Sequence, residues 1–288
     1  FISEFSSFTI TLSKKLSVVG FASANIFKVS SYFSSFLALE KYSLISFILS
    51  YKFFSSSFLN KKMKTKDPVN QHLVDDYQTH GLSQFGLMAS SVWRDDPRRL
   101  MFSLSRYKFV AKMLHGLRDV AEIGCGDGFG SRIVRQEVEN LMITDFDPLY
   151  IEQFSNLSDN KWPIDAQVHD ILSGPLDRCF QAIYCLDVLE HILPDQEALA
   201  MKNICDSLVE DGIGIFGMPS IESQAYASRE SREGHVNCKT GNAFEKDLRN
   251  YFKFVFIFSM NDEVVHTGYQ PMAHYLIGLC CGVKSKQI

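Results

Sequence analysis

The feature that most constrains this chain is an apolar segment that runs into four closely spaced glycines. Residues 120–130 read Val-Ala-Glu-Ile-Gly-Cys-Gly-Asp-Gly-Phe-Gly. The pattern predicts a strand followed by a tight loop and then a helix. Glycines let the backbone approach a ligand where a Cβ would collide, and the helix turns its amide donors toward that ligand. The segment therefore predicts a site for a nucleotide-like cofactor.

The spacing of the glycines disfavours two common nucleotide loops. The dinucleotide fingerprint places glycine at the first, third and sixth positions, but counting from Gly124 and Gly126 the sixth position is Phe129. A Walker loop ends in Gly-Lys-Ser/Thr, which is not present. A dinucleotide and a nucleoside triphosphate are therefore poor candidates for the ligand.

The segment instead resembles motif I of the class I S-adenosylmethionine-dependent methyltransferases, and the resemblance continues in order along the chain. Leu141–Asp145 resembles the second strand of that fold, Ala166–Ile171 the third, Phe180–Ile192 the fourth with its loop, and Gly212–Ser220 the fifth. A lone glycine loop is explained equally well by a structural turn. Five ordered matches at the spacing of strand–helix units are not.

The resemblance implies a doubly wound, Rossmann-like α/β fold. Its sheet would have seven strands, mostly parallel with an antiparallel final strand, and helices on both faces. Phe252–Ser259 is strand-like, and Ala273–Cys281 is its expected antiparallel partner.

The resemblance also assigns residues to S-adenosylmethionine. Glu122 and the glycine loop match the part that holds the methionine moiety. Asp145 matches the acid that takes both ribose hydroxyls, which suits a carboxylate with two acceptor oxygens, and Asp170 matches the partner of the adenine amino group. In related enzymes an Arg on the preceding helix reaches the cofactor carboxylate; Arg106 is the candidate here, with a solvated surface arginine as the alternative. The expected set is Arg106, Glu122, Gly124, Cys125, Gly126, Asp127, Gly128, Asp145, Phe146, Asp170, Ile171 and Asp187.

The loop after the fourth strand bears on the reaction. Enzymes that methylate exocyclic amines of nucleobases carry Asn/Asp-Pro-Pro-Tyr/Phe here, whereas this chain reads Asp187-Val-Leu-Glu-His191. Base N-methylation is therefore disfavoured. A sulfonium methyl is already activated, so the protein must align an acceptor behind it and remove a proton if the acceptor is a hydroxyl. Glu190 and His191 are the catalytic candidates.

Asp187-x-x-Glu190-His191 resembles the Glu-x-x-Glu-His of ubiquinone-type O-methyltransferases and small-RNA 2′-O-methyltransferases, which hold a divalent cation and add a later histidine. His235 matches that histidine. The resemblance implies a metal set of Asp187, Glu190, His191 and His235, compatible with Mg²⁺, Mn²⁺ or Zn²⁺. The alternative is a metal-free pocket in which Glu190 packs locally and His191 is a base.

Two polar segments are expected to select the acceptor, because such sheets bind ligands at the carboxyl ends of their strands. Pro219–Thr240 and Met260–Pro271 are rich in hydroxyls and carboxylates. They favour a small hydroxylated metabolite, such as a sugar or glycan. A lipid or quinone O-methyltransferase is an alternative, and so is a non-catalytic relative that binds the cofactor without transferring methyl.

Residues 1–62 differ in composition from the rest. They hold 11 of the 24 Phe, 16 Ser, seven Lys, no Arg and two acids, whereas residues 63–288 carry 22 basic and 31 acidic residues, a net charge of −9. Nucleic-acid binding depends on neutralising phosphates, so no nucleic-acid partner is expected for that part. The seven cysteines form no Cys-x-x-Cys pair, which is typical of a reduced, cytoplasmic protein.

Three interpretations compete for residues 1–62. Charged residues and serines interrupt the most apolar stretch, Phe36–Phe54, which weakens a signal or membrane anchor, and a transit peptide usually carries Arg. The other interpretation is translated upstream sequence, with synthesis beginning at Met63. The expected organisation is a low-complexity segment at 1–62, a helical pre-domain or lid at 63–118 and a methyltransferase domain at 119–288.

Overall fold

The computed structural model describes residues 63–157 and 161–284. The expectations for residues 1–62 lie outside the described residues. Contacts divide the chain into two compact units, the first ending at Leu82 and the second beginning at Ser83. The described part of the first unit is a 3-10 turn at Pro68–Asn70 and helix α1 at Gln71–His80, which ends at Gly81.

In the second unit, eight strands of the described chain form one sheet. The strands are β1 Asp119–Ile123, β2 Asn140–Asp145, β3 Asp165–Val168, β4 Phe180–Leu186, β5 Leu208–Pro219, β6 Phe252–Asn261, β7 Val264–His266 and β8 Tyr275–Val283. They lie in the order β3-β2-β1-β4-β5-β8-β6-β7. The first five run parallel, whereas β8 is antiparallel to both β5 and β6.

This topology confirms the Rossmann-like, mostly parallel α/β fold and the antiparallel pairing of the last long strands. The expected count of seven strands is wrong by one. The chain turns at Asp262, which has a φ of 49°, and β7 then pairs back onto the end of β6. The sequence alone predicts only a polar loop at Met260–Pro271.

Among the described residues of the second unit, seven α-helices surround the sheet. They are α2 Leu87–Asp95, α3 Arg98–Met113, α4 Ser131–Arg135, α5 Pro148–Leu157, α6 Glu197–Asp206, α7 Arg229–Gly234 and α8 Gly241–Leu248. Two clusters of buried apolar residues lie on the two faces of the sheet. Burial on both faces accounts for the nearly continuous apolar runs of β1 and β4. No helix of the described ranges combines the length and apolar character that crossing a membrane requires.

The strand order reverses between β1 and β4. Strand β1 pairs with β2 on one side and with β4 on the other. Ligands of doubly wound folds bind in the crevice at the carboxyl ends of such neighbouring strands. Gly124 follows β1 there and Asp187 follows β4, so the crevice joins the glycine loop to the Asp-x-x-Glu-His segment.

Candidate functional site

The glycine loop is held by the end of β2. Gly124 and Gly126 have φ values of 73° and 53°, in the region that favours glycine. The amides of Gly124 and Cys125 donate to the Thr144 carbonyl, and the amide of Gly126 donates to Asp145 Oδ2 at 2.9 Å. These bonds fix the loop between β1 and β2.

Asp145 lies buried at the end of β2. Its second oxygen, Oδ1, accepts from the Asp147 amide at 3.0 Å. Each carboxylate oxygen has two lone pairs, so each retains capacity for one more donor. This geometry is compatible with the expected ribose contacts, which stay a prediction.

Glu122 lies beneath the loop and contacts three hydroxyls. Its carboxylate accepts from Tyr107 Oη at 2.8 Å, Tyr184 Oη at 2.7 Å and Ser131 Oγ. Burial raises the pKa of Glu122, and these hydrogen bonds oppose that rise. The buried carboxylate therefore links the end of β1 to α3, α4 and β4. The motif alone does not reveal these contacts.

Asp127 connects the loop to helix α2. Its Oδ2 accepts from the Ala89 amide at 2.7 Å, and its Oδ1 accepts from the Phe129 amide at 3.3 Å. Met88 lies against Gly126, where an added Cβ would be 2.6 Å from the Met88 sulfur. Helix α2 is thus capped by the expected cofactor loop and packs on it.

The remaining residues of the expected cofactor set occupy different environments. Cys125 is buried, and burial raises its pKa. Gly128 packs so closely on Phe154 that a Cβ would lie 2.4 Å from its ring. Phe146 and Asp170 are exposed after β2 and β3, whereas Ile171 is buried in the core. Their roles toward the cofactor stay predictions.

Arg106 and Asp187 form an ion pair at the mouth of the crevice. One guanidinium nitrogen of Arg106 donates to Asp187 Oδ1 at 2.9 Å and to Oδ2 at 2.7 Å. The guanidinium also stacks on the Tyr275 ring, 3.7 Å from its centroid. Arg106 is therefore a half-buried, paired residue and not a solvated surface arginine. Asp187 itself has a φ of 58°, a strained conformation for a residue with a side chain.

Glu190 carries a buried carboxylate without a partner. It lies in the 3-10 turn Leu189–His191, is 0% exposed, and neither oxygen has a hydrogen-bond partner among the described residues. Burial, and next the charge of Asp187, raises the pKa of Glu190 well above its ordinary value, while Arg106 opposes this. A buried charge without a partner is costly, so the group is either protonated or bound to something the protein does not itself supply.

Two imidazoles lie beside this carboxylate. Ligand atoms of Glu190, His191 and His235 all lie within 4.8 Å of one another, and the two rings meet edge to face with centroids 5.1 Å apart. Burial, and next His191, lowers the pKa of His235. The structure thus brings together three of the four expected metal ligands. Asp187 is not among them, because its carboxylate is paired with Arg106.

The three donors are of the types that bind divalent cations, at a spacing slightly wider than one ion requires. Ligands at 2.0–2.3 Å from one ion are at most about 4.6 Å apart, so small side-chain movements would close the cluster. A mixed carboxylate and imidazole set suits Zn²⁺ or Mn²⁺ better than a set of oxygens alone. The unpartnered oxygens of Glu190 are the observation that supports this fit.

Sequence reasoning missed several residues of the site. Tyr184 could have been predicted to contact Glu122. The two residues are paired in register across β1 and β4, and paired residues of neighbouring strands share a face. The contact of Gln224, which hydrogen-bonds to His235, could not have been predicted. Its position in a short 3-10 turn follows from tertiary packing.

One family model matches part of the chain. Residues 120–212 match the sequence model of a methyltransferase domain family. No curated protein matches the chain in sequence.

Solved structures share the fold. The methyltransferase domain of a bacterial Hen1 protein, CtHen1-C, has 13% identity and a TM-score of 0.53, over 65% of this chain and 99% of that one. A TehB-like S-adenosylmethionine-dependent methyltransferase from Corynebacterium glutamicum has 17% identity and a TM-score of 0.51, over 68% and 96%. DhpI in complex with S-adenosylhomocysteine has 13% identity and a TM-score of 0.50, over 67% and 91%.

Proposed function

We propose that the class I S-adenosylmethionine-dependent methyltransferase domain of this chain methylates a hydroxyl of a small hydroxylated metabolite or glycan. The observation that best supports this proposal is that ligand atoms of Glu190, His191 and His235 lie within 4.8 Å of one another, in the segment that follows β4 and the one before α8. Three proton-accepting or cation-binding groups beside a cofactor loop suit an acceptor that must lose a proton.

The cofactor residues of this proposal are those of the glycine loop and the strand ends after it. Asp145 would hold the ribose, and the glycines would let the methionine part approach the backbone. Arg106 with Asp187 would present one positive and one negative group to the zwitterionic methionine end. When bound, S-adenosylmethionine supplies a methyl group activated on a sulfonium. The protein then needs only to orient an acceptor oxygen and take its proton.

Glu190 and the two histidines are the proposed acceptor-activating groups. Burial raises the pKa of Glu190, which makes its ionised form a stronger base than an ordinary carboxylate. The lowered pKa of His235 keeps its imidazole neutral and able to accept a proton or bind a cation.

A divalent cation held by Glu190, His191 and His235 is part of the proposal. Such an ion would lower the pKa of a bound hydroxyl and fix its position. The resemblance to the ubiquinone-type branch supports this choice in its Glu-His pair and later histidine. The separate pairing of Asp187 departs from that branch, in which the first acid also holds the ion.

Two other functions are a lipid or quinone O-methyltransferase and a non-catalytic cofactor-binding protein. A lipid or quinone acceptor is favoured by exposed apolar side chains near the expected acceptor loops, including Ile221, Val236 and Met272. A non-catalytic cofactor-binding protein is disfavoured by the unpartnered Glu190, because a buried carboxyl group without a hydrogen-bond partner costs stability whether it is ionised or protonated.

The test is methyl transfer by the full chain from labelled S-adenosylmethionine. The acceptors would be matched series of sugars, phenols and prenylated quinols, each with its amine analogue. We expect label in an alkali-stable methyl ether for a hydroxyl series and none for the amines. His191→Ala serves as the matched control, with cofactor binding retained and turnover lost. Methylation of the amines alone would contradict the O-methyltransferase assignment, and transfer to no acceptor would favour the non-catalytic relative.

A further inference from the structure

Both imidazoles of the cluster are hydrogen-bonded through Nδ1 to groups of the segment between β5 and α8. His191 Nδ1 lies 2.9 Å from the Gly234 carbonyl oxygen, at the end of α7. His235 Nδ1 lies 3.0 Å from Gln224 Oε1, in the 3-10 turn Glu222–Tyr226. Each ring therefore has one nitrogen engaged by the protein and one left over.

The direction of the His191 bond is fixed by chemistry. A backbone carbonyl can only accept, so Nδ1 of His191 must carry the hydrogen. A neutral imidazole has one N–H, and Nε2 of His191 is consequently a bare lone pair.

The direction of the His235 bond follows from the other end of Gln224. Its Nε2 lies 3.3 Å from Ser223 Oγ and 3.5 Å from the Ser220 carbonyl oxygen. Ser223 Oγ already donates its hydrogen to that carbonyl at 2.7 Å, so both neighbours require a donor. The amide nitrogen of Gln224 therefore faces the serines, and its oxygen faces His235. Nδ1 of His235 must donate, which again leaves Nε2 bare.

We propose that Gln224 is a positioning residue that holds His235 in the Nδ1–H tautomer and so leaves Nε2 as the bare nitrogen that His235 can offer to its cluster with Glu190 and His191. Partners of this kind commonly fix the tautomer and ring orientation of a metal-binding or catalytic histidine. The functional consequence rests on the proposed function, since a bare Nε2 matters only if the cluster binds a cation or takes a proton. The tautomer itself is a property of the free protein.

The test is the ring ¹⁵N chemical shifts of the full chain, labelled at histidine and kept free of metal with a chelator at a pH where both rings are neutral. We expect His235 and His191 both in the Nδ1–H form in the wild type. Gln224→Leu should move His235 toward the Nε2–H form. Gln224→Glu keeps an acceptor oxygen for His235 and should retain Nδ1–H, with the Ser223 hydroxyl turned to donate to its other oxygen. His191 is the internal control, because a backbone carbonyl holds it in every variant. An Nε2–H form of His235 in the wild type would overturn the inference without any variant.

A second readout separates this inference from the proposed function. Gln224→Leu should lower the affinity for Mn²⁺, used as the probe, by roughly 10-fold or more, and Gln224→Glu should restore it. If the tautomers are as stated but the wild type methylates no acceptor, the proposed function fails and the inference stands. If methyl transfer occurs while Gln224→Leu leaves the tautomer unchanged, the inference fails alone.

Discussion

Arg106 and Asp187 are 81 residues apart in the chain, yet Arg106 Nη1 lies 2.7 Å from Asp187 Oδ2. The pair joins α3 to the loop after β4, at the crevice between β1 and β4. The Arg106 side chain is 16% exposed and that of Asp187 is 39% exposed. The arginine is thus the more buried partner.

Replacing Arg106 by alanine should destabilise the protein. The change leaves Asp187 unpaired beside Glu190 and removes the stacking on Tyr275. We expect a loss of about 2–3 kcal/mol in the free energy of unfolding, at or below the lower limit for buried pairs because Asp187 is partly solvated. Urea denaturation measures it. Arg99→Ala on the same helix removes an exposed pair with Asp95 and should cost below about 0.5 kcal/mol. Equal losses in the two variants would contradict the account.

Replacing Asp127 by alanine should loosen α2. The amide of Ala89 would lose its capping carboxylate, at a cost of about 0.5–2 kcal/mol. Hydrogen exchange of the amides in Leu87–Asp95 should become faster, while exchange in β1 and β4 stays unchanged. Asp127→Asn keeps an acceptor oxygen and is the control. Unchanged protection of α2 in Asp127→Ala would show that the helix is held by other contacts.

The stability of the metal-free protein should depend on the protonation of Glu190. Burial raises the pKa of this group in the folded state above its value in the unfolded chain. Between the two pKa values the folded state holds a proton that the unfolded state has lost. The free energy of unfolding therefore falls as pH rises through this window.

Glu190→Gln removes this dependence while keeping the size of the side chain. The stability of the variant relative to the wild type should grow as pH rises above the ordinary range of a carboxyl pKa, by at most about 1.36 kcal/mol per pH unit. Urea denaturation with chelator present measures both proteins. Parallel curves would mean that Glu190 titrates alike in the folded and unfolded states.

Metal use can be tested by comparing variants of the three proposed ligands with a variant of Asp187, which is paired with Arg106. Glu190→Gln, His191→Ala and His235→Ala should each lower Mn²⁺ affinity by roughly 10-fold or more, because each removes a proposed ligand. Asp187→Asn should change it far less, since this carboxylate is paired with Arg106. Equilibrium dialysis measures the binding. A chelator should abolish turnover in the wild type; full activity in chelator would leave His191 and Glu190 as a metal-free pair.

Much of the fold could be predicted from the sequence because it rests on local patterns. The segment Val120–Gly130 combines an apolar run typical of a buried strand with closely spaced glycines, of which Gly124, Gly126 and Gly128 have positive φ values in the loop. The predicted pairing of Phe252–Ser259 with Ala273–Cys281 rested on two apolar runs near each other in the chain, and the pairing of β6 with β8 confirms it with slightly different bounds. Strand β7 was missed because three residues carry too little pattern.

The site was less predictable because its geometry depends on distant residues. Sequence could group Asp187, Glu190 and His191 by spacing, but it could not reveal that Arg106 neutralises the first and leaves the second unpartnered. The role of Gln224 could not be predicted either, because it too depends on contacts made only in the folded protein. Its role depends on which of its two amide atoms faces His235, and the tertiary hydrogen bonds decide that.

The most direct test of the central claim is titration calorimetry of the full chain with S-adenosylmethionine and its demethylated product. We predict one site for both ligands. Asp145→Ala should weaken binding by about 1–3 kcal/mol through lost ribose hydrogen bonds, and Gly126→Val should abolish it, because a side chain there is strained and collides with Met88. Asp147→Ala, two residues beyond Asp145, is the matched control and should bind as the wild type does. No heat with either ligand in the wild type, and no competition between them, would contradict the account.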